Sequence, residues 1–141
     1  MTVIKGENFT AKLVSTVALK PGQVFASTAA MTPSPVGKRY STVQVSETAH
    51  VELNSDLLYM NHSCDPNVVV DVEHGVVTAA KHIQPGDPVT FFYPSTEWVM
   101  DQPFNCWCGA PNCLKHVKGA KFLDADTLSQ FALSKHITRM P

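Results

Sequence analysis

Three of the four cysteines in this 141-residue chain fall within eight consecutive positions, Cys106-Trp107-Cys108-Gly109-Ala110-Pro111-Asn112-Cys113. Thiols at that spacing, with glycine and proline between the second and third, form a loop that can fold around an ion. Zinc takes four tetrahedral ligands, at about 2.3 Å for thiolate sulfur, so three thiolates leave one vertex to be supplied from elsewhere. The remaining cysteine, Cys64, lies far upstream beside Pro66 in a polar loop and is the first candidate. His116, three residues after Cys113, competes for the same place. A closed four-ligand site is structural, because a catalytic zinc keeps one position open. The other readings are two disulfides, or free thiols with one of them buried. Neighbours spaced i, i+2 are awkward to bridge, and without a signal-peptide pattern the thiols are expected to stay reduced.

The length fits one domain, and 44% hydrophobic residues are enough for a buried core. Eleven basic and twelve acidic residues are scattered along the chain, with nothing denser than Lys38-Arg39. That balance suggests neither a nucleic-acid groove nor a membrane surface. No apolar run approaches the roughly 18 residues of a membrane span. The expectation is a soluble intracellular protein, cytoplasmic or nuclear.

β-Branched and apolar residues come in short bursts: Phe9 to Val14, Gln23 to Ala26, Thr42 to Val45, His50 to Leu53, Val68 to Val72, Val76 to Ala80 and Val89 to Tyr93. These read as strands. Between them lie turn signals such as Lys20-Pro21-Gly22, the Pro-rich stretch around Pro33 and Pro35, Glu73-His74-Gly75 and Gln84-Pro85-Gly86-Asp87-Pro88. The two valine runs on either side of Glu73-His74-Gly75 predict a hairpin. Only the tail predicts a helix, capped by Asp124 or Asp126 and placing Leu128, Phe131 and Ala132 on one face. The fold class is a small, mostly β domain with a C-terminal helix.

A dense polar loop, Asn61-His62-Ser63-Cys64-Asp65-Pro66-Asn67, separates the apolar Leu57-Leu58-Tyr59-Met60 from the valine run. Asn, Ser and Asp can satisfy their own backbone in such a loop, which is its plainest reading. Further on, Gly86-Asp87-Pro88-Val89-Thr90-Phe91-Phe92-Tyr93 reads as a turn and then a strand ending in a phenol. In order and spacing, the Asn-His-Ser-Cys-x-Pro-Asn loop, the Gly-x-x-x-Thr-Phe-x-Tyr strand and the Cys-x-Cys-x4-Cys cluster resemble SET-domain protein lysine methyltransferases with a post-SET zinc segment. The likeness is specific between about residues 57 and 119.

The resemblance implies a β-clip with a knot-like core over residues 1–104, a post-SET zinc segment over 105–119 and a helical tail over 120–141. It implies S-adenosylmethionine as methyl donor, a structural zinc on Cys64, Cys106, Cys108 and Cys113, and a lysine-bearing protein or peptide, histones included, as partner. A substrate outside proteins and a fold that has lost methyl transfer are the alternatives, and a monomer or a dimer is compatible with the sequence. Tyr93 takes the place of the catalytic tyrosine. Asn61 and His62 take the place of cofactor contacts, with Lys12 and Trp98 beside them. Phe91, Tyr40 and Tyr59 are candidates for the substrate channel, with Phe104 able to line either side. A phenylalanine at position 91 leaves room for higher methylation states. The chain departs from the pattern where the family has Gly-x-Gly, because Thr10 and Lys12 stand there. Phe92 stands where Asp or Asn is common.

Overall fold

Short bursts of β-branched residues cut by glycine and proline give short strands, and short strands build several small sheets. The computed structural model of the chain describes residues 1–6 and 11–140. In chain order the strands are β1 (Thr2–Lys5), β2 (Ala11–Val14), β3 (Val24–Ser27), β4 (Thr32–Pro33), β5 (Thr42–Gln44), β6 (His50–Glu52), β7 (Asn61–His62), β8 (Val68–Asp71), β9 (Val76–Ala79), β10 (Thr90–Phe91), β11 (Phe104–Asn105) and β12 (His116–Val117). Two short helices follow, α1 (Ala125–Leu128) and α2 (Lys135–Arg139).

The predicted hairpin is the pair β8 and β9, which β3 extends into a three-stranded sheet of order β3-β9-β8. Val68 and Val70 of β8 and Val77 and Ala79 of β9 are buried, the period-two pattern of a sheet with one face on the core. That face packs with Leu13, Leu57, Met60, Ile83 and Val89 into the main hydrophobic cluster. A second three-stranded sheet has the order β4-β6-β5, and β1 pairs with β2. β1 has no strong pattern of its own; pairing with β2, whose Leu13 is fully buried, makes it a strand.

The pairing that matters for function joins distant segments. β7 lies parallel to β10, with Asn61 opposite Thr90 and His62 opposite Phe91. The Ser63 N–H donates to the Phe91 carbonyl at 3.1 Å, and Asn67 clamps the far end by accepting from the Thr90 N–H at 2.9 Å. The run Val89 to Tyr93 keeps only two strand residues. Pro94 has no N–H for a ladder, and the chain bends there into a 3₁₀ turn over Tyr93–Ser95.

The tail differs from the single helix expected. Asp124 does cap α1, its Oδ1 accepting from the Thr127 N–H at 2.7 Å. The helix stops at Leu128, where the Ser129 hydroxyl donates to the Asp126 carbonyl at 2.7 Å and competes with the backbone ladder. Phe131 and Ala132 therefore lie outside the helix and share no face with Leu128. Phe131 instead stacks on Phe92, with ring centres 3.6 Å apart and planes 3° from parallel. α2 docks behind the 3₁₀ turn: the Ser134 N–H donates to the Ser95 carbonyl at 2.9 Å, and His136 Nε2–H donates to the Thr96 carbonyl at 2.7 Å.

One glycine is fixed by close approach. Gly119 has φ +122°, and a Cβ built there would sit 2.4 Å from the Trp98 carbonyl oxygen, against backbone that cannot swing aside. Gly119→Ala is expected to lower stability by about 2–4 kcal/mol through overpacking and backbone strain. Chemical denaturation would measure this, and an unchanged midpoint would show that the crossing yields freely.

Candidate active site and thiolate cluster

Phe91 points into the core and the turn at Pro94 ends the strand, so Tyr93 emerges beside the β7 segment and is held by it at both ends. The Tyr93 N–H donates to His62 Nδ1 at 3.1 Å, and its hydroxyl donates to the Met60 carbonyl at 2.7 Å. Because Nδ1 of His62 accepts, the proton of the neutral ring lies on Nε2. That nitrogen is 3.3 Å from the sulfur of Cys64. Burial pulls His62 down to about 4, so the ring is neutral near pH 7. Burial pushes the Tyr93 phenol up to about 12, with the Glu97 carboxylate acting in the same direction. The phenol stays protonated across the working range. Phe91, His62 and Phe104 surround its ring, with centres 4.7, 5.3 and 5.8 Å away.

These groups open onto a cavity of about 750 Å³ whose wall includes Met60, Asn61, His62, Phe91, Tyr93 and Phe104. Tyr40, largely exposed, lies at its rim. Of the other sequence candidates, Tyr59 packs against the main core, and neither it nor Trp98 or Lys12 is part of the wall. The Trp98 N–H donates to Gln44 Oε1 at 2.9 Å. Lys12 is exposed on β2 opposite Ile4, and Thr10 lies outside the described residues. Asn61 reaches this strand, its Nδ2 donating to the Ala11 carbonyl at 2.9 Å. The wall also contains Glu97, which sequence reading passed over. Its only signal was a lone acid in an aromatic-rich connection immediately after the tyrosine.

The sulfurs of Cys64, Cys106, Cys108 and Cys113 all lie within 4.8 Å of one another. A tetrahedral zinc thiolate has edges of about 3.8 Å, so the cluster is compatible with a post-SET zinc site after small adjustment. The donor chemistry agrees. Burial pushes Cys64 up to about 12 and Cys106 up to about 11, while Cys108, against its own burial, is brought down to about 6 by hydrogen bonds from the backbone and the neighbouring thiols; the thiols share their charge unevenly, and a divalent cation would take all four as thiolates. Outer contacts hold the cluster in place: the Leu114 N–H donates to Cys64 Sγ at 3.3 Å and Asn112 Nδ2 to the Cys64 carbonyl at 3.0 Å. Val117, Met100 and Phe104 pack around it as a second small core. His116 stands apart, its Nδ1 paired with Asn105 Oδ1 at 2.7 Å.

Comparison with known proteins agrees with this geometry. The family model for the SET domain matches residues 10–94. The methyltransferase flvH of Aspergillus flavus is 42% identical over 140 residues, covering 97% of this chain and 78% of that protein. An H3 lysine-36-specific histone-lysine N-methyltransferase of Candida albicans is 37% identical over 78 residues, which is 50% of this chain and 9% of that enzyme. Among solved structures, KRYPTONITE in complex with mCHH DNA, an H3(1-15) peptide and SAH superposes with a TM-score of 0.60 at 20% identity, over 81% of this chain and 28% of that one. This last likeness is one of fold. A SET-domain match over most of the chain, a methyltransferase alike along nearly its whole length and the pairing of β7 with the tyrosine strand lead to one conclusion: the chain belongs to the SET-domain family of S-adenosylmethionine-dependent methyltransferases.

Proposed function

We propose that this chain methylates the side-chain amine of lysine in a protein or peptide, with Tyr93 at the reacting centre and a structural zinc on Cys64, Cys106, Cys108 and Cys113. The observation that carries the reading is the double anchoring of Tyr93 by His62 and the Met60 carbonyl at the wall of the cavity. S-adenosylmethionine, when bound, supplies an electrophilic methyl group on a sulfonium. The cavity fits such a ligand in volume and in its mix of aromatic and polar walls. Asn61 and His62 are its proposed contacts, with Lys12 and Trp98 on adjoining segments. The Tyr93 hydroxyl and neighbouring carbonyls form a polar collar that orients methyl and amine, and orientation accounts for much of the rate in such a displacement. Phe91, which adds no hydroxyl to the channel, leaves room for more than one methyl group.

A second reading is a small molecule as acceptor, a free amine in place of a protein lysine. The likeness along nearly the whole chain is to flvH, named only as a methyltransferase, and the histone enzyme of Candida albicans is alike over half of it, so methyl transfer is supported without a choice of acceptor. Calorimetry with S-adenosylmethionine, followed by methyl transfer to an H3 peptide and to free lysine read by mass spectrometry, tests both. Cofactor binding with transfer to the peptide is expected, and products with two or three methyl groups. Absence of binding at millimolar cofactor would sink the methyltransferase reading, and a product that never exceeds one methyl would sink the role given to Phe91.

A further inference from the structure

Glu97 carries a carboxyl group in a place that disfavours its charged form. It follows the 3₁₀ turn, its N–H donating to the Tyr93 carbonyl at 3.1 Å, and it lines the same cavity. One carboxylate oxygen is committed: Oε2 accepts from the Gln44 N–H at 2.9 Å and from the Thr96 hydroxyl at 2.7 Å. Among the described residues Oε1 has no hydrogen-bond partner, and it is not sealed away from solvent space. No cation lies within ion-pair distance of either oxygen among those residues. Structural demands are met by Oε2 alone, so Oε1 is surplus to holding the fold. A carboxylate partly withdrawn from water, with no ion pair of its own among the described residues, attracts a cation.

We propose that Glu97 is the cation-binding residue of the acceptor site, where Oε1 holds an incoming alkylammonium and accepts its proton before methyl transfer. The inference rests on the methyltransferase reading above. The proton balance is simple. The ammonium N–H bond breaks and its proton passes to Oε1, giving a neutral amine and a carboxylic acid. The freed lone pair then forms the N–C bond as the C–S bond of the donor breaks, and the carboxyl returns its proton to solvent after product leaves. Burial raises the Glu97 pKa; the Gln44 N–H, the Thr96 hydroxyl and Lys38 pull it back in part. The result is a better proton acceptor than a solvated carboxylate. The other charged or titratable groups around it are few. Lys38 Nζ is spent on the Val99 carbonyl at 3.1 Å, and Arg39 on the cavity wall lies 3.4 Å from Glu52. Asp101 is elsewhere on that wall, the Tyr93 phenol stays neutral, His136 is turned to the Thr96 carbonyl, and His50 lies near Lys38 and His136.

The recognised chemistry is a primary alkylammonium, whether from a lysine side chain or a free amine. The test is calorimetry of the full chain with n-butylamine hydrochloride and with an H3 peptide, wild type against Glu97→Gln. The glutamine oxygen can keep both Oε2 bonds while its amide faces the cation. The variant is expected to bind S-adenosylmethionine as wild type does and to lose at least tenfold in alkylammonium affinity. Binding of n-butylammonium without the peptide assigns the site to free amines; binding of both assigns it to lysine side chains as well. In turnover, Glu97→Gln is expected to run at least tenfold slower near pH 7.5 and to recover as pH approaches the amine's own pKa of about 10.4. Equal alkylammonium affinity in the two proteins, no binding to wild type at tens of millimolar amine, or a rate defect that pH does not relieve would each overturn the assignment. Absent cofactor binding would instead count against the methyltransferase reading and leave the amine titration to decide Glu97.

Discussion

Tyr93→Phe is expected to lower kcat by about 10²- to 10⁴-fold while S-adenosylmethionine still binds, the loss typical of removing a positioned polar group from a transition state. Only the hydroxyl goes; the ring keeps its neighbours Phe91, His62 and Phe104. The fold should pay little for it, about 1–2 kcal/mol, because the Met60 carbonyl loses its one described hydroxyl donor. A large fall in rate with a small fall in melting temperature is thus the signature. The defect should be flat from pH 6 to 10, since burial holds the phenol near 12 and neither the wild-type hydroxyl nor phenylalanine titrates in that window. Unchanged transfer would remove Tyr93 from the reacting centre.

Cys64→Ser is expected to abolish zinc binding and methyl transfer together, with the main core still folded. The cysteines and Val117 form their own cluster, separate from the one built on Leu13, Met60 and Val77. Structural zinc contributes on the order of 10 kcal/mol to small domains, far more than this second core supplies by itself. Its loss frees Phe104 at one wall of the cavity, and the substitution itself replaces the sulfur that His62 Nε2–H faces with a shorter hydroxyl. Metal analysis should give one zinc per wild-type chain and per His116→Ala chain, and none for Cys64→Ser. Full occupancy in the cysteine variant would mean that another group closes the site.

The strands of the main sheet were legible because Val68 to Val72 and Val76 to Ala80 are dense β-branched runs on either side of a Gly-containing turn; which of their residues face the core emerges only in the fold. The thiolate cluster was legible because ligand spacing is local for three of its members, and the motif around Cys64 pointed to the fourth. What escaped was set by partners distant in sequence. β1 exists only against β2, and the two-residue β11 only against β12. The tail helix ends where the Ser129 hydroxyl takes the Asp126 carbonyl, and Phe131 beyond it stacks on Phe92, a contact no local pattern announces. That stack also explains Phe92 itself. Where the family commonly carries a polar residue, this chain has an aromatic platform for its own tail. Glu97 was invisible for a related reason: its meaning comes from the cavity it faces, and a single acid in a loop has no period to read.

The same long-range pairings set an order of events during synthesis. Asn61 and His62 leave the ribosome well before Thr90 and Phe91, their ladder partners, and Cys64 precedes its three companions by a further stretch. Last come Phe131, Ser134 and His136, which brace the turn carrying Tyr93 from behind. A nascent chain halted after Tyr93 would hold Asn61, His62 and Tyr93 with their mutual anchors, but not Glu97, the three later cysteines or the tail residues that brace the turn from behind. Competence therefore arrives late, when the cysteine loop and the tail close around a centre already paired, so a partly made chain has little means of consuming methyl donor.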